Sequence, residues 1–320
     1  MRERTYKIDK NVKNILVVFL GGIGNMILFT PTLKALREGF PHCHITLLMA
    51  QSNAGDVIKG SNLIDEIISL QGNIISLISS LRRKHFDLSI TATGVNPIKA
   101  GLLALLSNVR YRLGEDINKR GTFYNLKVKY KEEEHEIEGN IRLVGKLGID
   151  VNDRELFIHV TDEDKEFADR FLREREIDSS LVMGLHPGSG PNQAWFRRWE
   201  KEKFAEVGDR IATKYGAKII IFGGSEEVSL ACDVASLMHI SPVITAGKTT
   251  VGEVTALIEK CNLFVSNDSG LAHIAACVGT PLVVIFGPTN FKKTAPRGNR
   301  VIILRKALPC SPCYEKGKVK

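Results

Sequence analysis

The stretch VSNDSGLAHIAACVGTP, residues 265–281, followed at once by the apolar run LVVIF, residues 282–286, decides how this chain is read. An apolar segment runs into the polar turn Asn267-Asp268-Ser269-Gly270 and then, with no spacer, into a segment of helical character. Strand, turn, helix and second strand in that order form the unit from which parallel α/β sheets are built. Asp268 or Ser269 is placed to cap first-turn N–H groups. Such a turn suits an anion, because helix N-terminal amides and the positive dipole end stabilise a phosphate. Gly270 permits close backbone approach, and Leu271 follows it in the same turn. His273, one turn into the helix, is able either to pack in the core or to reach a phosphate.

Two comparable turns lie upstream. The apolar run at 181–185 ends in His186-Pro187-Gly188-Ser189-Gly190, and two glycines and a serine after a strand suit a backbone cradle around a diphosphate. Arg197 and Arg198 bring cations to the same place, while Trp199 reads more readily as a packed anchor than as a stacking platform. His186 reads first as a brace for its loop through a backbone hydrogen bond, and second as a ligand of the bound group. The next turn, Phe222-Gly223-Gly224-Ser225-Glu226-Glu227, follows the strand at 217–222. Either Glu226 or Glu227 is suited to accept hydrogen bonds from ribose hydroxyls. Lys248 and Thr249, opening one more helix after a strand, are candidates for the same ligand.

Apolar strands alternate with helical periodicity along the whole chain, the pattern of parallel α/β layers. The spacing predicts strands at 14–20, 44–49, 65–70 and 87–91, with helices at 26–38, 73–84, 97–106 and 136–147. A second series follows, with strands at 181–185, 218–222, 243–245, 263–265 and 282–286 and helices at 201–215, 226–238, 251–259 and 271–278. A charged helix at 162–176 leads into it. This predicts two doubly wound domains, residues 1–160 and 161–320, whose sheets face each other across a cleft at their strand C-termini. In the first, Gly21-Gly22-Ile23-Gly24 is a glycine turn, but the third glycine of GxGxxG falls at Ile27. Ala50 and Gln51, after the strand at 44–49, supply no carboxylate for a ribose. Both points argue against a nicotinamide dinucleotide enzyme.

Composition agrees with an ordinary globular protein: 320 residues, 43% hydrophobic and 25% charged. No apolar run approaches a membrane span, and residues 1–7 lead into no signal-like core, so the expected compartment is the cytoplasm. The net charge of +8 is unevenly placed. Arg110, Arg112, Lys119, Arg120, Lys127, Lys129 and Lys131 crowd one segment, and the chain from Lys292 onward is basic apart from Glu315. Such faces suit an anionic lipid or phosphorylated glycolipid, or are simply solvated. No nucleic-acid motif accompanies the charge. Cys43, Cys232, Cys261 and Cys277 stand singly as small hydrophobes. Cys310-Ser311-Pro312-Cys313 supplies half of a zinc site, and metal binding there is not the favoured reading.

The order HPGSG, RRW, FGGSEE, AGKTT, NDSGLAH and FGPT resembles glycosyltransferase family 9, the lipopolysaccharide heptosyltransferases. The N-terminal run ILVVFLGGIGNMILFTPTLKALREGFPHCHITLL, the segment from Arg110 to Gly114 and the stretch 135–148 are similar to the same family. The resemblance implies a GT-B fold and inverting transfer from a nucleotide-diphosphate sugar, with ADP-heptose the leading donor. The implied acceptor is an anionic glycolipid of the lipopolysaccharide core, with peripheral association at the inner face of the inner membrane. On this reading Ser189, Gly190, Arg197 and Arg198 meet the diphosphate, Glu226 or Glu227 the ribose, and Asp268 to Leu271 form the helix-terminus turn. His186, Lys248, Thr249 and His273 complete the donor set. Gly22, Gly24, Arg110 and Arg112 would bind acceptor. No DxD-type pair is present, so no metal cofactor is expected. Some members of the family continue past the position of Lys320 with further Cys and His residues.

The chain departs from the family at two places. Asn25 stands where the family usually carries the Asp taken as general base, and Phe19 stands where an Arg is common. An amide orients a hydroxyl but cannot take its proton. Two further readings therefore accompany the first: a nucleotide-sugar-binding homologue impaired in transfer, or a glycosyltransferase with a different donor and acceptor. In the latter another carboxylate, such as Glu115 or Asp116, serves as base.

Overall fold

The computed structural model describes residues 12–50, 52–151, 153–177, 180–190, 194–315 and 318–319. The chain divides between Phe157 and Ile158 into two compact units. The N-terminal stretch read for a signal core, Gln51 and the lysines at 316 and 320 lie outside the described residues.

In the first unit the order is β1 (Asn14–Phe19), α1 (Ile23–Gly39), β2 (His44–Met49), α2 (Ser52–Gly55), β3 (Glu66–Ser69), α3 (Ile74–Arg83), β4 (Leu88–Thr91), α4 (Pro97–Leu106), β5 (Tyr111–Asp116), β6 (Leu126–Lys129) and α5 (Glu136–Gly145). The strands pair in parallel in the order β3-β2-β1-β4-β5-β6. β1 is a near-continuous apolar run because both faces of a parallel sheet are covered. Pro31 sits inside α1 and cannot donate to the carbonyl of Ile27; the Thr30 hydroxyl donates to that oxygen instead, at 2.7 Å. Helix starts follow side-chain caps: Asn73 for α3, Asn96 with Pro97 for α4, and His135 for α5.

The second unit runs α6 (Asp162–Arg173), β7 (Val182–His186), α7 (Lys201–Tyr215), β8 (Lys218–Ile221), α8 (Val228–Leu237), β9 (Val243–Ile244), α9 (Val251–Glu259), β10 (Leu263–Asn267), α10 (Gly270–Cys277), β11 (Leu282–Ile285), α11 (Phe291–Thr294) and β12 (Val301–Leu304). Its parallel sheet has the order β12-β11-β10-β7-β8-β9. Counted from the first strand of each unit, both sheets have the order 3-2-1-4-5-6. The connections therefore leave in opposite directions from β1 and β4, and again from β7 and β10. Open sheets bind ligands at that switch point, beyond the strand C-termini. Met183, Leu185, Phe204, Ile219, Ile221 and Val265 form the core beneath it, and Trp199 meets Phe204 edge-on at 5.4 Å, a packed anchor.

Among the described residues five strands lie outside the sequence reading, two of them the antiparallel pair Tyr314–Glu315 and Lys318–Val319 in the basic tail. β5 and β6 lie inside the segment read as a basic surface, and β12 lies in the basic tail. β5 and β6 carry charge at intervals, and β6 alternates buried Leu126 and Val128 with exposed Lys127 and Lys129, as a sheet edge tolerates, whereas β12 is a short apolar run set between Arg300 and Arg305. The helix expected from Glu226 begins instead as a 3₁₀ turn, Ser225–Glu227, before α8.

Candidate functional site

The loops after β7, β8 and β10 are tied together by one buried carboxylate. Glu227 is 4% exposed, and its Oε1 accepts the backbone N–H groups of Ser189 (2.9 Å) and Gly190 (3.0 Å). Its Oε2 accepts the Gly224 N–H and the His186 Nε2–H, each at 3.0 Å. Burial by itself pushes this carboxyl up, but the hydrogen bond and charge of His186 and the backbone donors outweigh it. Glu227 is held far below the ordinary carboxylate range. A Cβ at Gly188 would collide with the carboxylate, and Gly190 takes φ +90°; both positions require glycine.

Both Glu227 and His186, expected as donor contacts, spend these hydrogen bonds within the fold. His186 is 2% exposed, and its Nδ1 lies 3.0 Å from Ser269 Oγ and 3.1 Å from Ser266 Oγ. It braces its loop as expected, through side chains rather than a backbone bond. Of the two acidic residues in this turn, Glu226 is the exposed one.

Ser269, not Asp268, caps α10: its hydroxyl accepts the Ala272 N–H. Helix geometry leaves the Gly270 and Leu271 N–H groups without intrahelical acceptors. Asp268 is buried, accepts the Thr289 hydroxyl at 2.7 Å and pairs with Arg197 at 3.6 Å. Burial raises its carboxyl against those two partners. Arg197 is thus engaged by Asp268 and stacked near Phe196 and Tyr314. Arg198 donates through Nε to Ser189 Oγ at 3.2 Å and is partly exposed. His273 is buried within α10. Lys248 is exposed and its ammonium folds back onto the Ile244 carbonyl; Thr249 precedes Thr250, the cap of α9.

Sequence reasoning missed Asn267. This residue is wholly buried; its amide donates to the Pro187 and Gly188 carbonyls and its oxygen accepts the Trp199 N–H at 2.9 Å. It fixes the end of β10 against the loop after β7 and the Arg197-Arg198 segment. No local signal marks it, since its partners are remote in sequence.

In the first unit the glycine turn lies between β1 and α1. Gly22 is the N-cap, Gly24 is buried, and a Cβ at Gly21 would strike Asn25 and Phe19. Asn25 donates through Nδ2 to Glu136 Oε2 at 2.7 Å. Glu136 is half-buried in the first turn of α5, and Gly94, in the loop after β4, lies beside its other oxygen. A carboxylate therefore stands at the β1/β4 switch point although residue 25 is an amide. Phe19 is buried with its ring 5.5 Å from Phe29, so it packs rather than faces a ligand.

Arg112, expected as an acceptor contact, is engaged within the fold. Its guanidinium donates to the carbonyls of Phe123 (2.8 Å) and Val109 (2.7 Å), where it ties β5 to its flanking loops. Arg110 is exposed and lies over the Tyr111 ring. Asp116 accepts the Gly121 N–H, closing the turn between β5 and β6. Glu115 is 5% exposed and pairs with Arg142 at 3.2 Å. Burial pushes its carboxyl up to about 7, despite the opposing guanidinium. The folded state then holds a proton that the unfolded chain releases above about pH 4.5, so stability falls as pH rises from there toward 7. Glu115→Gln should flatten that slope, removing roughly 3 kcal/mol of pH dependence in denaturant titrations at pH 5 and pH 8.

Cys310 is exposed and Cys313 half-buried, both as free thiols. Among the described residues no group of three or more His, Cys, Asp or Glu side chains is placed to hold a metal ion, and no helix is long and apolar enough to cross a membrane.

The model of glycosyltransferase family 9 (heptosyltransferase) matches residues 74–320. Lipopolysaccharide heptosyltransferase 3 of Escherichia coli is 28% identical over 87% of this chain and 85% of its own length. The crystal structure of a glycosyl transferase family 9 protein from Veillonella parvula superposes with a TM-score of 0.80 at 26% identity, covering 94% of this chain and 88% of that one. The E. coli ADP-heptose lipopolysaccharide heptosyltransferase II superposes at 0.76 with 21% identity, over 93% and 92% of the two chains. With two six-stranded parallel sheets of one strand order, and phosphate-type turns at the switch point of the second, the chain belongs to glycosyltransferase family 9, the heptosyltransferases, and is a glycosyltransferase of the GT-B fold.

Proposed function

We propose that this glycosyltransferase transfers heptose from ADP-heptose, with inversion, onto a hydroxyl of a lipopolysaccharide core acceptor, without a metal cofactor. The second unit takes the donor: the α10 N-terminus, Ser189 and Arg198 hold the diphosphate, and Glu226 accepts from ribose. The first unit takes the acceptor at the β1/β4 switch point. The observation that carries an active enzyme, rather than an impaired binding homologue, is the hydrogen bond from Asn25 to Glu136. In this reading Glu136 is the general base and Asn25 its orienting partner. The acceptor oxygen forms a bond to the anomeric carbon as the bond from that carbon to the diphosphate oxygen breaks. Glu136 takes the hydroxyl proton, and ADP leaves carrying the electron pair. Negative charge growing on the diphosphate is stabilised by preorganised N–H donors, one such donor being worth about 3 kcal/mol. The two earlier base candidates suit the role less well, since Glu115 is buried and Asp116 closes a turn. The enzyme would act in the cytoplasm, at the inner face of the membrane that carries its acceptor.

Calorimetric titration with ADP, UDP, GDP and NAD tests the donor side. ADP should bind selectively, and Arg198→Ala should weaken it about tenfold, the loss of one charge-assisted hydrogen bond. A preference for UDP or GDP would replace the donor, and no nucleotide binding at all would overturn the reading.

A further inference from the structure

α4 turns an apolar face to solvent. Its inward side, Pro97, Ala100, Gly101, Leu103 and Ala104, is buried, and Gly101 lies against Phe123 and Tyr124. Its outward side carries Ile98, Leu102, Leu105 and Leu106, each between 37% and 42% exposed. These positions, i, i+4, i+7 and i+8, form one stripe down the helix. Scattered surface leucines are ordinary, but a contiguous row on a helix interrupted only by Lys99 marks a contact surface. Alongside, Arg82 of α3 donates to the Leu106 carbonyl at 2.6 Å, which places the C-terminal end of α3 beside that of α4. At its other end α3 exposes Ile74 and Ile75.

The segment that carries this face is predominantly basic. Between Glu66 and Glu115 the only acidic residue is Asp87, and its carboxylate is engaged by the Lys13 and Asn14 backbone N–H groups. The same segment carries Arg82, Arg83, Lys84, Lys99, Arg110 and Arg112. Arg82, Arg83, Lys99 and Arg110 are exposed. An apolar stripe flanked by cations, with the nearby Glu66 carboxylate paired to Lys84 at 2.8 Å, is complementary to an anionic bilayer: the side chains enter the acyl boundary while lysine and arginine meet the headgroups. α4 is too short to span a membrane, so it would lie in the interface.

We infer that the exposed face of α4, with the exposed end of α3 and the cations around both, docks the first unit onto an anionic lipid bilayer. This deepens the proposed reaction and rests on it only for the purpose of docking. α4 starts directly after the loop that carries Gly94, beside Glu136, so a lipid-anchored acceptor held in the same bilayer would present its sugars near the base.

The test is flotation of the full chain with vesicles of phosphatidylethanolamine and phosphatidylglycerol, against vesicles of phosphatidylcholine alone. Binding is expected to the first and not the second, and to weaken with salt. Leu102→Gln/Leu105→Gln and Lys99→Glu/Arg83→Glu should each lower the partition coefficient about tenfold or more, with thermal unfolding unchanged because all four side chains are exposed. Equal binding by both variants and the parent chain, or no binding by the parent, would overturn the proposal. So would a dimer by light scattering that Leu102→Gln/Leu105→Gln dissociates, which would make a second copy the occupant. Because flotation uses neither donor nor acceptor, a failed transfer reading leaves its result intact, and a failed docking leaves nucleotide selectivity intact.

Discussion

Glu136→Gln is expected to lower kcat for sugar transfer by about 10²–10⁴-fold, the usual worth of general base assistance. Donor binding, measured by calorimetry on the same preparation, should be unchanged, because Glu136 belongs to the first unit and the proposed donor turns to the second. The amide at residue 25 makes the experiment sharper than a single knockout. In Asn25→Asp/Glu136→Gln the hydrogen bond survives with its direction reversed: the new amide donates and the new carboxylate accepts. That double variant should recover much of the lost rate. Asn25→Asp alone places two carboxylates within hydrogen-bonding distance of each other, and like charges that close share a proton. Its rate optimum should therefore move to higher pH, where the shared proton is released. Wild-type kcat in Glu136→Gln would remove Glu136 from the base position.

Glu227→Gln carries the second large effect, on the other unit. The carboxylate oxygens accept four hydrogen bonds, from Ser189, Gly190, Gly224 and His186. A carboxamide in either orientation turns an NH₂ group toward donors that need an acceptor. Breaking a buried charged contact in this way typically costs about 3–5 kcal/mol. Nucleotide affinity should fall with it, because the 188–190 and 223–224 turns lose their common anchor. The acid response provides an independent signature. Glu227 is held below its ordinary value of 4.5, so its contribution is fully present above that pH and is lost as pH falls further. The parent should lose stability steeply below about pH 4.5, and Glu227→Gln should lose this component of the slope. Unchanged stability and affinity in the variant would mean that the two turns hold their shape without the carboxylate.

The fold was largely legible because its central strands are apolar runs closed by glycine-containing turns, as at the ends of β1, β7 and β10. β5 and β6 were not, since these strands at or near the sheet edge carry lysine, arginine and acidic side chains that break the hydrophobic signal, and β12 was not because its four apolar residues are too few to stand out between Arg300 and Arg305. The same division holds at the site. Glycines and hydroxyls marked the turns after β7, β8 and β10 that Glu227, His186 and Asn267 tie together. What they did not announce was direction: Glu226 and Glu227 are adjacent, yet one faces solvent and the other is the buried hub. Glu136 likewise gave no signal, because its meeting with Asn25 across 111 residues depends on how β1 and α5 are placed by the sheet.

Asn267 has a consequence for the order in which the chain matures. Its amide joins β10 to Pro187 and Gly188, about eighty residues earlier, and β10 pairs with β7 in the same register that brings Ser266 to His186. Contacts so far apart in sequence bear a loop-closure cost and form late relative to local helices. A chain emerging from synthesis can hold its helices and its first βα units while the junction of β10 with the loop after β7 does not yet exist. If the second unit holds the nucleotide as proposed, recognition is a property of the finished second sheet, and a ligand that favours only the completed form would act as the last stabilising piece of that domain.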